Sequence, residues 1–60
     1  MTVKQFRVKA RVARESGSAA LDDGGVLYYF KGTGEFSLRD RYGNTVDTAY
    51  YPERLEYLYE

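Results

Sequence analysis

The chain has no cysteine, no histidine and no tryptophan, and only one proline and one methionine in 60 residues. Each absence removes a class of function. Without cysteine, no disulfide and no thiolate metal site can brace the fold. Without cysteine and histidine together, the usual zinc sites have no ligands. The same two absences remove the side chains that most often act as nucleophile or base near neutral pH. Carboxylate pairs remain, but so small a domain has little room for a closed pocket. The sequence therefore predicts a protein that is not an enzyme and uses no cofactor or metal. Long apolar runs are missing too. Lys4, Arg7, Lys9 and Arg11 interrupt the N-terminal stretch and argue against a signal peptide. No segment has the length and apolarity of a membrane span. The cytoplasm is the expected compartment for a chain without cysteine.

What the chain does have is aromatic rings, seven Tyr and three Phe. A domain of this size buries only about 60 % of its unfolded surface, so large rings must supply much of the core. Tyr suits a thin fold, because its ring packs inward while its hydroxyl reaches water. Net charge is zero but unevenly spread. The first twenty residues hold Lys4, Arg7, Lys9, Arg11 and Arg14 against Glu15. The last twenty hold Arg41 and Arg54 against Asp47, Glu53, Glu56 and Glu60. A protein that holds nucleic acid by charge alone is usually basic overall, and this one is not.

The stretch from Val3 to Arg14 alternates. Phe6, Val8, Ala10 and Val12 fall on one face and Gln5, Arg7, Lys9 and Arg11 on the other. A period of two predicts a half-buried β-strand with a cationic solvent face. Glu15–Gly25 is small, flexible and acidic and reads as a surface loop, with room for a single turn at Ala19, Ala20 and Leu21. At about eleven residues it is long for a compact domain. Strands follow at Val26–Lys31, Phe36–Arg41 and Thr45–Tyr50, separated by turns at Gly32–Gly34 and Tyr42–Asn44.

If both turns are three-residue loops, Lys31 faces Glu35, Phe30 faces Phe36 and Tyr28 faces Leu38. In the second hairpin Phe36 faces Tyr50, Leu38 faces Thr48 and Arg39 faces Asp47. Both charged pairs are attractive, each worth about 0.2–1 kcal/mol. This register gathers Val26, Tyr28, Phe30, Phe36, Leu38, Val46 and Tyr50 into the expected core. Asp40 shares that face and belongs at a sheet edge or near a cation. Pro52 ends the fourth strand. Beyond it, Tyr51, Leu55, Leu58 and Tyr59 fit a helical stripe, whereas Leu55, Tyr57 and Tyr59 fit a strand. Pro followed by Glu supports a helical turn near 52–54, with a short last strand after it. The whole is one domain, residues 1–60.

Five short strands, a long first loop and a helical turn before the last strand resemble the SH3-like barrel. The stretches Arg39-Asp-Arg-Tyr-Gly-Asn-Thr45 and Tyr51-Pro-Glu-Arg-Leu55 are also similar to the end of the SH3-like C-terminal domain of retroelement integrases. The peptide-binding signature of signalling SH3 domains, an A-L-Y-D-Y-like start and a tryptophan, is absent. The resemblance thus implies a fold, an all-β, antiparallel, five-stranded barrel, and no ligand.

Three surfaces are candidate sites. Arg7, Lys9 and Arg11, about 6–7 Å apart along a strand, suit phosphates or an acidic protein surface. They equally suit pairing with the C-terminal Glu53, Glu56 and Glu60, since first and last strands are neighbours in such a barrel. The outer face of the meander presents Leu27, Tyr29, Ser37, Arg39, Asp47 and Ala49. Leu27, Tyr29, Arg39 and Asp47 there have the composition of a protein-binding centre, unless a loop or the C-terminus covers them. Tyr50, Tyr51, Tyr57 and Tyr59 suit base stacking or rim packing. Asp22-Asp23 lacks the oxygen spacing of a calcium loop. Gly32-x-Gly34 lacks the Lys-Ser/Thr of a phosphate loop. The favoured expectation is an interaction module (adaptor, subunit or inhibitor) for a protein partner. The alternatives are nucleic-acid binding through Arg7, Lys9 and Arg11, and self-association through sheet edges.

Overall fold

A computed structural model describes all residues, Met1–Glu60. The chain forms one α-helix, α1 (Val3–Ser16), then four strands and a C-terminal 3₁₀ helix. The strands are β1 (Ser18–Ala20), β2 (Val26–Phe30), β3 (Glu35–Arg39) and β4 (Thr45–Ala49). They form an open antiparallel sheet in the order β1-β2-β3-β4. The expected five-stranded all-β barrel is therefore corrected. The sheet does not close, its N-terminal partner is a helix, and no fifth strand follows Pro52.

The first correction concerns residues 3–14. The same residues that alternate also place Phe6, Ala10 and Ala13 at the i, i+4, i+7 positions of one helical face. These three are buried, while Val8 is 51 % exposed. Two end signals decide for the helix. Thr2 and Gln5 form a capping box: Thr2 Oγ1 accepts from the Gln5 amide, and Gln5 Oε1 accepts from the Thr2 amide. Gly17 takes the left-handed conformation, φ 96°, and its amide donates to the Ala13 carbonyl. Between them, Lys4, Gln5, Arg7, Lys9, Ala10, Arg11, Ala13 and Arg14 are good helix formers.

The second correction concerns Glu15–Gly25. The helix runs through Ser16, and Ser18–Ala20 is an edge strand paired with β2, Ala19 opposite Leu27. The connection to β2 is short and tied. The Leu21 amide donates to the Gly25 carbonyl, and the Gly25 amide to Asp23 Oδ1. Gly25 is required by close approach, because a β-carbon there would collide with the Arg39 carbonyl oxygen.

The third correction is the register. The β2–β3 loop has four residues, Lys31–Gly34, since Phe30 pairs with Glu35. The Phe30 carbonyl accepts from both Thr33 and Gly34. One added loop residue moves Tyr29 opposite Phe36 and Leu27 opposite Leu38, and so turns every β2 side chain over. The β3–β4 loop has three residues, as expected, but they are Arg41–Gly43. Asp40 pairs with Asn44 and Gly43 is left-handed, φ 86°. A bulge between Leu38 and Arg39 then leaves Leu38 opposite Asp47 and Phe36 opposite Ala49. The pairs Lys31–Glu35 and Arg39–Asp47 do not form. Asp40 closes the turn, accepting from the Tyr42 and Asn44 amides.

The inner face is thus Ala19, Leu27, Tyr29, Phe36, Leu38 and Ala49. Val26, Tyr28 and Phe30, expected inside, lie on the opposite face. The helical stripe Phe6, Ala10 and Ala13 joins Ala19, Leu21, Leu27, Phe36, Leu38 and Leu55 in one core. Fully burying a Leu or Phe is worth about 1.5–3 kcal/mol, so a few such side chains carry the domain.

The fourth correction is the C-terminus. Pro52–Tyr59 is a single 3₁₀ helix, not a turn and a strand. Three residues per turn eclipse Pro52 with Leu55, and both are buried. The same repeat aligns Glu53, Glu56 and Tyr59. Tyr59 stacks on Phe6 with ring centroids 4.9 Å apart and closes the core from that side.

Candidate functional site

The helices cover one face of the sheet and leave the other open. Cross-strand partners share a face, so the register defines the open one. A row of Ser18, Tyr28, Ser37 and Thr48 crosses all four strands. Val26 pairs with Arg39 beside it. Phe30 continues β2 beyond Tyr28, and the two rings stack at 6.3 Å with an interplanar angle of 11°. On the other side of Tyr28 the Arg39 guanidinium lies 5.8 Å from the ring centroid. Arg39 Nε donates to Ser37 Oγ at 3.0 Å, and Nη1 donates to the Gly43 carbonyl at 3.5 Å. These contacts cover Ser37, which is buried, and tie the guanidinium to β3 and its turn. Tyr28 and Phe30 remain 38 % and 43 % exposed. Arg39 has no carboxylate partner, because Arg7–Glu56 is the molecule's one ion pair.

The residues expected to bind protein are dispersed by the register. Leu27 is fully enclosed in the core. Tyr29 faces inward, its ring 4.8 Å from that of Phe36. Asp47 points the same way and accepts a hydrogen bond from the Tyr57 hydroxyl, while its other oxygen accepts from the Thr48 amide. That bonding holds the Asp47 carboxyl below its usual range and raises the Tyr57 hydroxyl above its own. Arg39 alone of the four stays on the open face, and its neighbours there are Val26 and Tyr28.

The cationic trio is split as well. Helical rotation puts Arg7 and Arg11 on one face with Arg14, and turns Lys9 away from them. Arg7 meets Glu56 in a fork, Nε to Oε2 at 2.9 Å and Nη2 to Oε1 at 3.0 Å. Hydrogen bonding to Arg7 lowers the Glu56 carboxyl, and the Arg7 guanidinium is raised in return. The expected pairing of Arg7 with a C-terminal glutamate is therefore present, between two helices rather than two strands. A groove of about 240 Å³ runs between them, lined by Arg7, Arg11 and Arg14 on one wall and Glu53 and Glu56 on the other.

The four C-terminal tyrosines form no common platform. Tyr50 and Tyr51 are exposed, Tyr57 is bonded to Asp47, and Tyr59 packs on Phe6. Burial, and then the charge of Asp23, raises the Tyr59 hydroxyl. Asp23 caps the Gly25 amide. No group of three or more His, Cys, Asp or Glu side chains is arranged to hold a metal ion. No helix is long and apolar enough to cross a membrane.

Sequence reasoning missed Val26, Tyr28 and Phe30 as surface and Arg14 as a groove wall, whereas Glu53 stands, as named from the sequence, across from the arginines. For the groove the signal was present in Thr2-x-x-Gln5, Gly17 and the seven-residue spacing of Arg7, Arg11 and Arg14. For the sheet face no local signal separated a three-residue from a four-residue loop. The chain matches no protein-family model, no curated protein and no solved structure.

Proposed function

We propose that this chain is a small non-enzymatic interaction module that binds a protein partner through the open face of its sheet. The observation that carries the reading is the patch of Tyr28 between Phe30 and Arg39. Two rings and a guanidinium, held rigid on a sheet and partly exposed, are the residue types that dominate protein interfaces. Their rotamers are already restrained by stacking and by Ser37, so little side-chain freedom is lost on binding. The absence of His and Cys supports a role without catalysis. The absence of Cys supports a cytoplasmic setting.

The test is capture from the native host by the tagged full chain, with and without nuclease. The paired change Tyr28→Ser and Arg39→Glu should release the partner while circular dichroism stays native. A partner retained by that folded variant moves the interface elsewhere. Nucleic-acid binding is the alternative, favoured by the shared face of Arg7, Arg11 and Arg14. It predicts capture that nuclease abolishes and that weakens steeply with salt.

A further inference from the structure

The groove between α1 and the 3₁₀ helix has charge left over, and its geometry shows why. Arg7 and Arg11 are one α-helical turn apart, about 6 Å along the axis. Glu56 and Glu53 are one 3₁₀ turn apart, also about 6 Å. The two helices run in opposite senses, with Phe6 on Tyr59, Arg7 on Glu56, and Arg11 and Arg14 beside Glu53 and Pro52. The acidic row ends at Glu53, where Pro52 begins the 3₁₀ helix, and the basic row continues to Arg14. Three guanidinium groups thus face two carboxylates, leaving one net positive charge in the groove. Arg7 is satisfied by Glu56, whereas Arg11 and Arg14 have no ion-pair partner. The groove floor is small and apolar, formed by Ala10 and Pro52. The Arg14 guanidinium sits 5.5 Å from the centre of the Phe36 ring, a cation–π contact beside the groove.

We propose that this groove receives a single carboxylate side chain, Asp or Glu, of a protein partner, held between Arg11 and Arg14 as Glu56 is held by Arg7. One monoanionic group matches the one residual charge. A phosphate backbone would bring several charges against Glu53 and Glu56. The partner's being a protein rests on the proposed function, but the groove is a separate surface from the open sheet face.

The ¹⁵N-labelled full chain is titrated with capped Gly-Glu-Gly and, separately, capped Gly-Gln-Gly, reading the arginine Nε–H signals. The Glu peptide should shift the Arg11 and Arg14 signals saturably, at about tenfold lower concentration than the Gln peptide, the scale of one charge-assisted hydrogen bond. Arg14→Gln should abolish the shift. If that variant does not fold, Glu53→Gln decides: removing the competing carboxylate should tighten binding, and unchanged or weaker binding overturns the proposal. Equal response to the two peptides also overturns it. So does a short single-stranded oligonucleotide that shifts these signals at lower concentration than the Glu peptide. Tyr28→Ser should leave the groove response intact, which separates failure here from failure of the sheet face.

Discussion

Leu27 on β2 lies directly opposite Leu38 on β3, and both side chains are buried. That pair marks the register of the whole meander. Phe30, at the far end of β2, is 43 % exposed on the other face. Leu27→Ala should therefore cost about 2–5 kcal/mol, comparable to the total stability of so small a domain. Phe30→Ala should leave a cooperative melt close to wild type. Thermal unfolding followed by circular dichroism compares the two, and the reverse order would contradict this register.

The helix depends on its first turn. Thr2 Oγ1 accepts from the Gln5 amide at 3.1 Å, and Thr2→Ala removes that cap. The expected loss is about 0.5–2 kcal/mol, with Thr2→Ser close to wild type. Urea midpoints of the three proteins measure it. Equal midpoints for Ala and Ser would show that the box contributes nothing.

Gly25→Ala tests the tight passage beside β3. The added methyl meets the Arg39 carbonyl oxygen, so backbone must shift. Such overpacking typically costs about 1–3 kcal/mol. Gly32, with nothing near its would-be β-carbon, is the control: Gly32→Ala should be close to neutral in the same denaturation assay.

Acid should destabilise the domain through its bonded carboxylates. The Arg7 bond lowers Glu56, the Asn44 amide lowers Asp40, and the Tyr57 hydroxyl lowers Asp47. A carboxyl held below its ordinary value stabilises the fold above that value and loses the contribution as pH falls through the folded value. Ordinary values are 4.5 for Glu and 3.8 for Asp. Stability should hold from neutral pH down to about 5 and decline below about 4. Glu56→Gln should flatten part of that decline in urea melts taken across the range.

Alkali acts on Tyr57 with the opposite sign. Its hydroxyl donates to Asp47, which raises it above the ordinary value of 10.0. The contribution is complete below that value and is lost as pH rises through the folded one. Tyr57→Phe should remove this alkaline loss while leaving the core intact, since Tyr57 is largely exposed. An unchanged alkaline limb of the stability curve would show that the bond does not form in solution.

Some of this architecture was legible residue by residue. Val26–Phe30, Glu35–Arg39 and Thr45–Ala49 carry β-branched and aromatic residues between Gly-rich turns, and each is a strand. Pro52 before Glu53 signals the helical start that follows. Residues 3–14 and 52–59 are ambiguous for one reason. In residues 3–14 a period of two and a period of 3.6 both fit, because Phe6 and Ala10 belong to either pattern. Capping by Thr2 and Gly17 was the local evidence that separated them. In Pro52–Tyr59, Leu55 likewise fits a strand or a helix.

The sequence by itself determined the three central strand segments, the charge balance and the absence of histidine and cysteine, because these follow from residue type and nearest neighbours. Tertiary structure alone decided which face of β2 is buried and which arginines stand together. A single extra residue in the Lys31–Gly34 loop exchanges Leu27 and Tyr29 for Tyr28 and Phe30, since strand side chains alternate strictly. Which loop length wins depends on the fit of the whole inner face against Phe6, Ala10 and Leu55. That fit is a sum over contacts distant in sequence, and no local pattern contains it.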